Sequence, residues 1–342
     1  MSFQILGTGS ALPARSVSND ELSTFLDTTD EWIYTRTGIK NRCVCTAETL
    51  DDLATEASRR ALEAAEVDPT ELDLIVCSTT TGDHLLPAEA CAVAERLGAS
   101  CPAFDVSGAC AGFVLALDVA DGYIARGRAR RVLVVAAEQM SRVLDWTDRS
   151  TCVLFGDGAG AAVIEAADAA EATAGPEATA AAANSAGSLS APNPLSMRFT
   201  TGPSVAVLNV PGLAGTSPFA EAPRPASALS MDGRRVFRFG VAAICDAVEA
   251  MASDAGIAVA DIDHLVFHQA NERILAAAIK RLGIDGSRVV RTLRDTGNIS
   301  SACIPLALDR LARAGELKGG DLVALVGFGA GLDIGACLLR WK

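Results

Sequence analysis

The stretch Asp105-Val106-Ser107-Gly108-Ala109-Cys110-Ala111-Gly112-Phe113 decides how the rest of the chain is read. The apolar run from Cys101 to Val106 predicts a short buried strand, Ser107 and Gly108 supply a tight turn, and Ala111 to Ala125, with few charges, predicts a helix. Cys110 then sits at a strand-to-helix elbow. There the unpaired N–H groups and the positive end of the helix dipole favour a thiolate, lowering the pKa from an ordinary ~8.5. That describes a nucleophile. The competing reading is a small buried hydrophobe, as most cysteines in apolar neighbourhoods are, and this stretch alone leaves both open.

Working outward, strands and helices alternate. Phe3 to Leu6 predicts a strand, with Gly7-Thr8-Gly9-Ser10 as its turn; position 12 is leucine, so the third glycine of a dinucleotide fingerprint is missing. Leu50 to Val67 reads as an amphipathic helix, Leu72 to Ser78 as a strand and Pro87 to Leu97 as a helix. Arg131 to Ala137 is an apolar strand covered on both faces, Glu138 to Arg149 a polar segment, and Phe155 to Ile164 a glycine-rich turn entering a strand. Beyond them come helices at Val241 to Ala255, Glu272 to Leu282 and Ser301 to Ala314, and strands at Asp263 to Phe267, Val289 to Thr292 and Leu322 to Val326. This alternation predicts a layered α/β architecture. Between the halves, Glu165 to Gly187 collapses to Ala, Glu, Thr and Ser, and a Pro- and Gly-rich connector follows to about Arg224. The expected organisation is an N-terminal half over 1–165, an insertion and connector over 166–228, and a C-terminal half over 229–342.

Composition excludes several classes. Half of the 342 residues are hydrophobic and 21% are charged, a globular balance. No apolar run approaches a membrane span and no secretory signal opens the chain, so the expectation is a cytoplasmic protein whose ten cysteines are thiols. Cys43-x-Cys45 has no second pair at zinc-site spacing, and no metal site is expected. A net charge of −13 argues against nucleic-acid binding; an acidic partner would need a local patch built from a few arginines.

The two halves echo each other. Glu71 to Cys77 resembles Asp261 to Phe267, Gly108-Ala109-Cys110 resembles Ser301-Ala302-Cys303, and Phe155-Gly156-Asp157-Gly158 resembles Phe328-Gly329-Ala330-Gly331. A period of well over a hundred residues indicates a duplicated domain, and a site at the junction follows. The second half brings His268 at a strand end and Asn298 in the turn before a helix, both converging on the Cys110 elbow if the halves are pseudo-symmetric. His84 and His264 lack such neighbours and read as structural. Trp32 and Arg36, four apart, would share a helix face as a platform for a nucleotide base, or simply as a structural stack.

The motifs D-E-W-I-Y-T-R-T-G-I, D-V-S-G-A-C-A-G-F, F-G-D-G-A-G-A-A-V, H-Q-A-N-E-R, G-N-I-S-S-A and G-F-G-A-G-L, in this order, resemble the β-ketoacyl-acyl carrier protein synthase III family of the thiolase superfamily. The resemblance runs nearly end to end, excepting the Ala-rich insertion. It implies a thiolase-like fold, two pseudo-symmetric halves in an αβαβα arrangement, acting as a homodimer. It implies Cys110, His268 and Asn298 as a triad performing a decarboxylative Claisen condensation of an acyl-coenzyme A primer with malonyl-acyl carrier protein. The oxyanion would be held by the N–H of Cys110 and that of Ala330, and no metal or redox cofactor is implied. Trp32, Arg36 and Arg149 match coenzyme A contacts; Arg273, Arg238, Gln269 and Asn271 match the carrier-protein side; Leu86 stands where relatives carry an aromatic that reaches the partner's acyl pocket. A biosynthetic thiolase would want a second cysteine nearer the C-terminal glycines than Cys337, and a chain-elongating synthase a second histidine at Asn298. The remaining rivals are a synthase-III-like acyltransferase of secondary metabolism and a non-catalytic paralogue, which would normally lack one of the triad.

Overall fold

The computed structural model describes residues 3–167, 193–212 and 228–342. The Ala-rich insertion from residue 168 onward and the 213–227 part of the connector lie outside the described residues. One sheet has five strands in the order Phe3–Ala11, Asp157–Ala166, Arg131–Gln139, Leu74–Ser78, Ala103–Val106; the last three run parallel and the first two join antiparallel. The second sheet repeats the scheme with Ser196–Thr201, Asp333–Arg340, Leu322–Gly329 and His264–Phe267. The fifth place, expected to be a strand over Val289–Thr292, is a single parallel bridge from Val289 to Leu265.

Helices fill the gaps as the αβαβα reading requires. Helices Gly112–Ala125 and Cys303–Arg313 lie between the sheets in one core that contains Leu74 and Val134 from the first sheet and Val323 and Leu325 from the second. Leu50–Ala65 and Glu89–Leu97 cover the outer face of the first sheet. Gly233–Ala255 and Glu272–Leu282 cover that of the second. Strands sandwiched this way bury both faces, which is why Val132 to Ala137 is uniformly apolar rather than alternating.

Several boundaries differ from the sequence expectation. Gly7 and Gly9 are not a turn; the first strand runs through them to Ala11. A Cβ at Gly9 would lie 2.2 Å from the Ala57 carbonyl, so these glycines let the Leu50–Ala65 helix press its backbone onto the strand. The Val241 helix begins at Gly233, where Asp232 accepts the Arg234 and Arg235 N–H groups at 3.1 Å and caps it. Glu138 is not in a polar segment: it lies inside the strand Arg131–Gln139 and is fully buried.

The internal repeat is real but its register differs. Short 3-10 turns precede both elbow helices, Ala109–Ala111 before Gly112 and Ser300–Ala302 before Cys303. Ala109 (φ 43°) and Ser300 (φ 47°) share a left-handed conformation that L-residues rarely adopt. The counterpart of Cys110 is therefore Ser301, not Cys303, which packs into the central core. Likewise Phe328-Gly329 ends the strand equivalent to Arg131–Gln139, while the strand opened by Asp157 corresponds to Asp333–Arg340.

Candidate active site

Cys110 starts from the left-handed kink at Ala109, which turns the chain from the Ala103–Val106 strand into the central helix. Its neighbour on the other side is the end of the strand Leu322–Gly329. A Cβ at Gly329 would lie 2.8 Å from Cys110 Cβ and 2.9 Å from its N, so only glycine allows this approach. The approach brings the Phe328-Gly329-Ala330 backbone beside the thiol.

The protonation expected of an elbow cysteine is overturned. Burial pushes the Cys110 thiol up to about 12, and the Glu138 carboxyl adds to the rise while the hydrogen bond with Ser300 opposes it. Loss of water costs a thiolate more here than one helix terminus returns. At neutral pH burial therefore favours the thiol over the thiolate.

His268 continues the His264–Phe267 strand, its N–H bonding the Val326 carbonyl at 2.8 Å. The ring is buried, edge-on to Phe328 with centroids 5.2 Å apart, and among the described residues Nδ1 has no hydrogen-bond partner. Burial pulls its pKa down to about 3, so at neutral pH it is an uncharged imidazole with one N–H to give. Asn298 is fixed by main chain, its N–H bonding the Leu154 carbonyl and its carbonyl accepting the Gly156 N–H. Its Oδ1 receives the Ser300 N–H at 2.8 Å, which leaves Nδ2 as the free donor end.

Cys110, His268 and Asn298, drawn from both halves, line one cavity of about 690 Å³. Its mouth carries Trp32, Arg36, Arg149, Arg234, Arg238 and Arg273. The Arg36 and Arg149 guanidiniums lie 4.6 and 5.0 Å from the Trp32 ring centroid. The Trp32 helix, Asp30–Thr37, is capped by Thr29 and anchored through Ile33 in an apolar cluster with Leu22, Met140 and Phe155. Asn271 ties the two sides of the mouth together: its Oδ1 caps the Arg273 helix and its Nδ2 donates to the Arg36 carbonyl at 3.1 Å. Among the described residues, Arg36, Arg238 and Arg273 form no ion pair, so their charge stands open at the mouth.

Gln269 does not belong to a surface. It is fully buried, its amide donating to the Phe267 and Val290 carbonyls and accepting the Thr292 and Leu293 N–H groups, so a docking partner cannot reach it. Leu86 is 89% exposed on a loop outside the cavity of its own chain. His84 and His264 each face a carboxylate, Asp51 and Asp321, away from the site. All ten cysteines are free, Cys43 and Cys45 included.

Sequence reading missed the cavity's aromatic wall, Phe237, Phe239 and Phe328, and the two polar side chains behind the thiol, Ser300 and Glu138. A lone carboxylate closing an otherwise apolar strand was the available signal for Glu138.

Models of the 3-oxoacyl-[acyl-carrier-protein] synthase III family match residues 104–182, and 252–341 for its C-terminal part. The β-ketoacyl-[acyl-carrier-protein] synthase III of Neisseria meningitidis serogroup C is 44% identical, over 99% of both chains. Among solved structures, the Aquifex aeolicus 3-oxoacyl-[acyl-carrier-protein] synthase III superposes with a TM-score of 0.87 at 36% identity, covering 99% of this chain and 100% of that one. The priming β-ketosynthase of the R1128 polyketide pathway superposes with a TM-score of 0.84 at 40% identity, covering 100% and 96%. With its end-to-end likeness and its thiolase-type double sheet, the chain belongs to the β-ketoacyl-[acyl-carrier-protein] synthase III family of condensing acyltransferases.

Proposed function

We propose that Cys110 takes an acyl group from acyl-coenzyme A and that the acyl-enzyme then condenses with malonyl-acyl carrier protein, giving a β-ketoacyl product two carbons longer. The observation that carries this is one cavity joining a buried thiol, a neutral imidazole and an amide donor to a mouth of arginines and one tryptophan. Arg36 and Arg149 suit the phosphates of coenzyme A, and Trp32 its base. The Cys110 and Ala330 N–H groups are assigned to the acyl oxyanion. His268 and Asn298 would donate to the malonyl thioester carbonyl and stabilise the enolate formed as carbon dioxide leaves. A neutral His268 suits that role, since it donates without first having to lose or gain a proton. Donors alone serve each step, without a metal or redox cofactor. Exposed Arg273 and Arg238 are assigned to the acidic carrier protein, with Asn271 holding Arg273 in place.

The assignment extends to a homodimer working in the cytoplasm. Exposed Leu85 and Leu86 would enter the partner subunit, where a leucine in place of an aromatic admits a longer or branched primer. A panel of acyl-coenzyme A thioesters, read by intact mass beside Cys110→Ala, tests the core of the proposal. Adducts that vanish in the variant are expected; no adduct from any thioester would sink it, and strict acetyl preference would remove the Leu86 assignment. Similarity to the R1128 priming synthase favours one second reading, a priming role in secondary metabolism, which differs in the carrier protein accepted rather than in the triad.

A further inference from the structure

Glu138 lies fully buried behind the nucleophile, and among the described residues it has no cationic partner. Its two oxygens are ringed by donors instead. Oε2 accepts the Thr80 N–H at 3.2 Å, the Thr80 hydroxyl at 3.0 Å and the Thr81 hydroxyl at 2.7 Å. Oε1 accepts the Ser300 hydroxyl at 3.2 Å and the Ser301 hydroxyl at 3.0 Å. Thr81 Oγ1 itself receives the Gln139 N–H at 2.8 Å, so its own proton is directed at Glu138. Five donors converge on its two oxygens, a setting that favours the carboxylate against the cost of burial.

Cys110 Sγ lies 3.5 Å from Ser300 Oγ. Because the Ser300 proton is given to Glu138, its lone pair is what faces the thiol. The result is a directed chain, Cys110 S–H to Ser300 O–H to the Glu138 carboxylate, and no hydrogen bond joins Cys110 to His268 among the described residues. The thiol must lose its proton when it is acylated, and this chain is the route the geometry offers.

We propose that Glu138 stores the cysteine's proton for as long as Cys110 carries the acyl group, with Ser300 as the relay; this rests on the acyl-Cys110 chemistry proposed above. In acylation, the bond from Cys110 Sγ to the acyl carbon forms and the bond from that carbon to the coenzyme A sulfur breaks. The thiol proton passes to Ser300 Oγ as the Ser300 proton passes to Glu138 Oε1, and the departing coenzyme A thiolate takes a proton from water. In condensation, the carbanion left by carbon dioxide attacks the acyl carbon and expels Sγ as a thiolate. The chain then runs backwards, returning the thiol and the carboxylate. The thiols of Cys77, Cys110 and Cys303 feel the Glu138 charge and burial keeps all three protonated; of them, only Cys110 is joined to it through Ser300. Burial raises the Glu138 pKa while hydrogen bonds from Thr81, Thr80 and Ser301 pull it down, so the carboxyl is set above the ordinary carboxylate range and accepts a proton readily.

The test is a proton count. Wild-type enzyme is mixed with acyl-coenzyme A near neutral pH in a weakly buffered indicator, and the same sample is read by intact mass. The store requires uptake of about one proton per acyl group attached, because Glu138 keeps the cysteine's proton while coenzyme A draws one from water. Glu138→Gln should abolish the uptake. Ser300→Ala should slow acylation at least about tenfold, and Ala109 shows that an alanine can occupy the same left-handed conformation in this fold. An adduct that forms in wild-type enzyme with no proton uptake overturns the store whether or not the variants fold, and so does unchanged uptake in a folded Glu138→Gln. A missing adduct points instead to failure of the acyl-Cys110 reading.

Discussion

Cys110 and His268 are both drawn away from charge by burial, in opposite directions on the pH scale. For Cys110 the thiolate fraction keeps rising toward about 12, so carbamidomethylation of the free enzyme should increase tenfold per pH unit through pH ~9 with no plateau near the ordinary thiol value. A plateau at or below ~8.5 would show that the elbow wins over burial after all. For His268 the folded pKa lies below the unfolded one, so the unfolded chain binds the extra proton first. Its contribution to stability is present above the ordinary histidine range and is lost as pH falls toward about 3. His268→Ala should therefore flatten the acid side of the stability curve, measured by denaturant midpoints across that window. Gly329 is the tightest constraint: Gly329→Ala would put a methyl 2.8 Å from Cys110 Cβ and should cost acylation about a hundredfold by displacing the thiol.

Among elements, the two elbows show what a sequence reveals and what it hides. The strand–turn–helix around Cys110 was legible because Ser107-Gly108 interrupts two apolar runs, and the Glu272–Leu282 helix was legible to its ends because Asn271 opens it and Gly283 closes it. The register of the repeat was not legible, since the feature the two elbows share is a left-handed φ at Ala109 and Ser300, and neither residue advertises it. Gln269 was misplaced because its motif ends at exposed Arg273, while its own amide closes four main-chain groups that sequence spacing cannot reveal. The Asn271 cap is testable at this scale. Asn271→Ala removes the bond to the Arg273 N–H and should lower stability by about 1 kcal/mol in chemical denaturation. It also frees the Arg36 carbonyl, so the apparent affinity for acyl-coenzyme A should fall while alkylation of Cys110 is unchanged.

For the whole molecule, the repeat led to a duplicated domain with a site at the junction, while the αβαβα layering was what the family resemblance implied, and the two sheets and three helical layers bear it out. The charge distribution works against the average: a chain of net charge −13 gathers Arg36, Arg149, Arg234, Arg238 and Arg273 around one opening. An acidic carrier protein would be steered to that opening and repelled elsewhere. Arg273→Glu should accordingly depress kcat/KM for the carrier-protein substrate by about tenfold and weaken its salt dependence, while acylation by small acyl-coenzyme A is spared; equal loss of both would remove Arg273 from docking.

The matched kinks at Ala109 and Ser300 carry one further meaning. One copy of the duplicated motif turns a thiol inward, the other turns in the hydroxyl that touches it at 3.5 Å, so the reactive centre is a seam between two castings of one mould. A chain of half this length, paired with its own copy through the same central layer, would have brought two identical kinks face to face. Because the two halves differ in sequence, one kink can present a thiol and the other the hydroxyl that meets it.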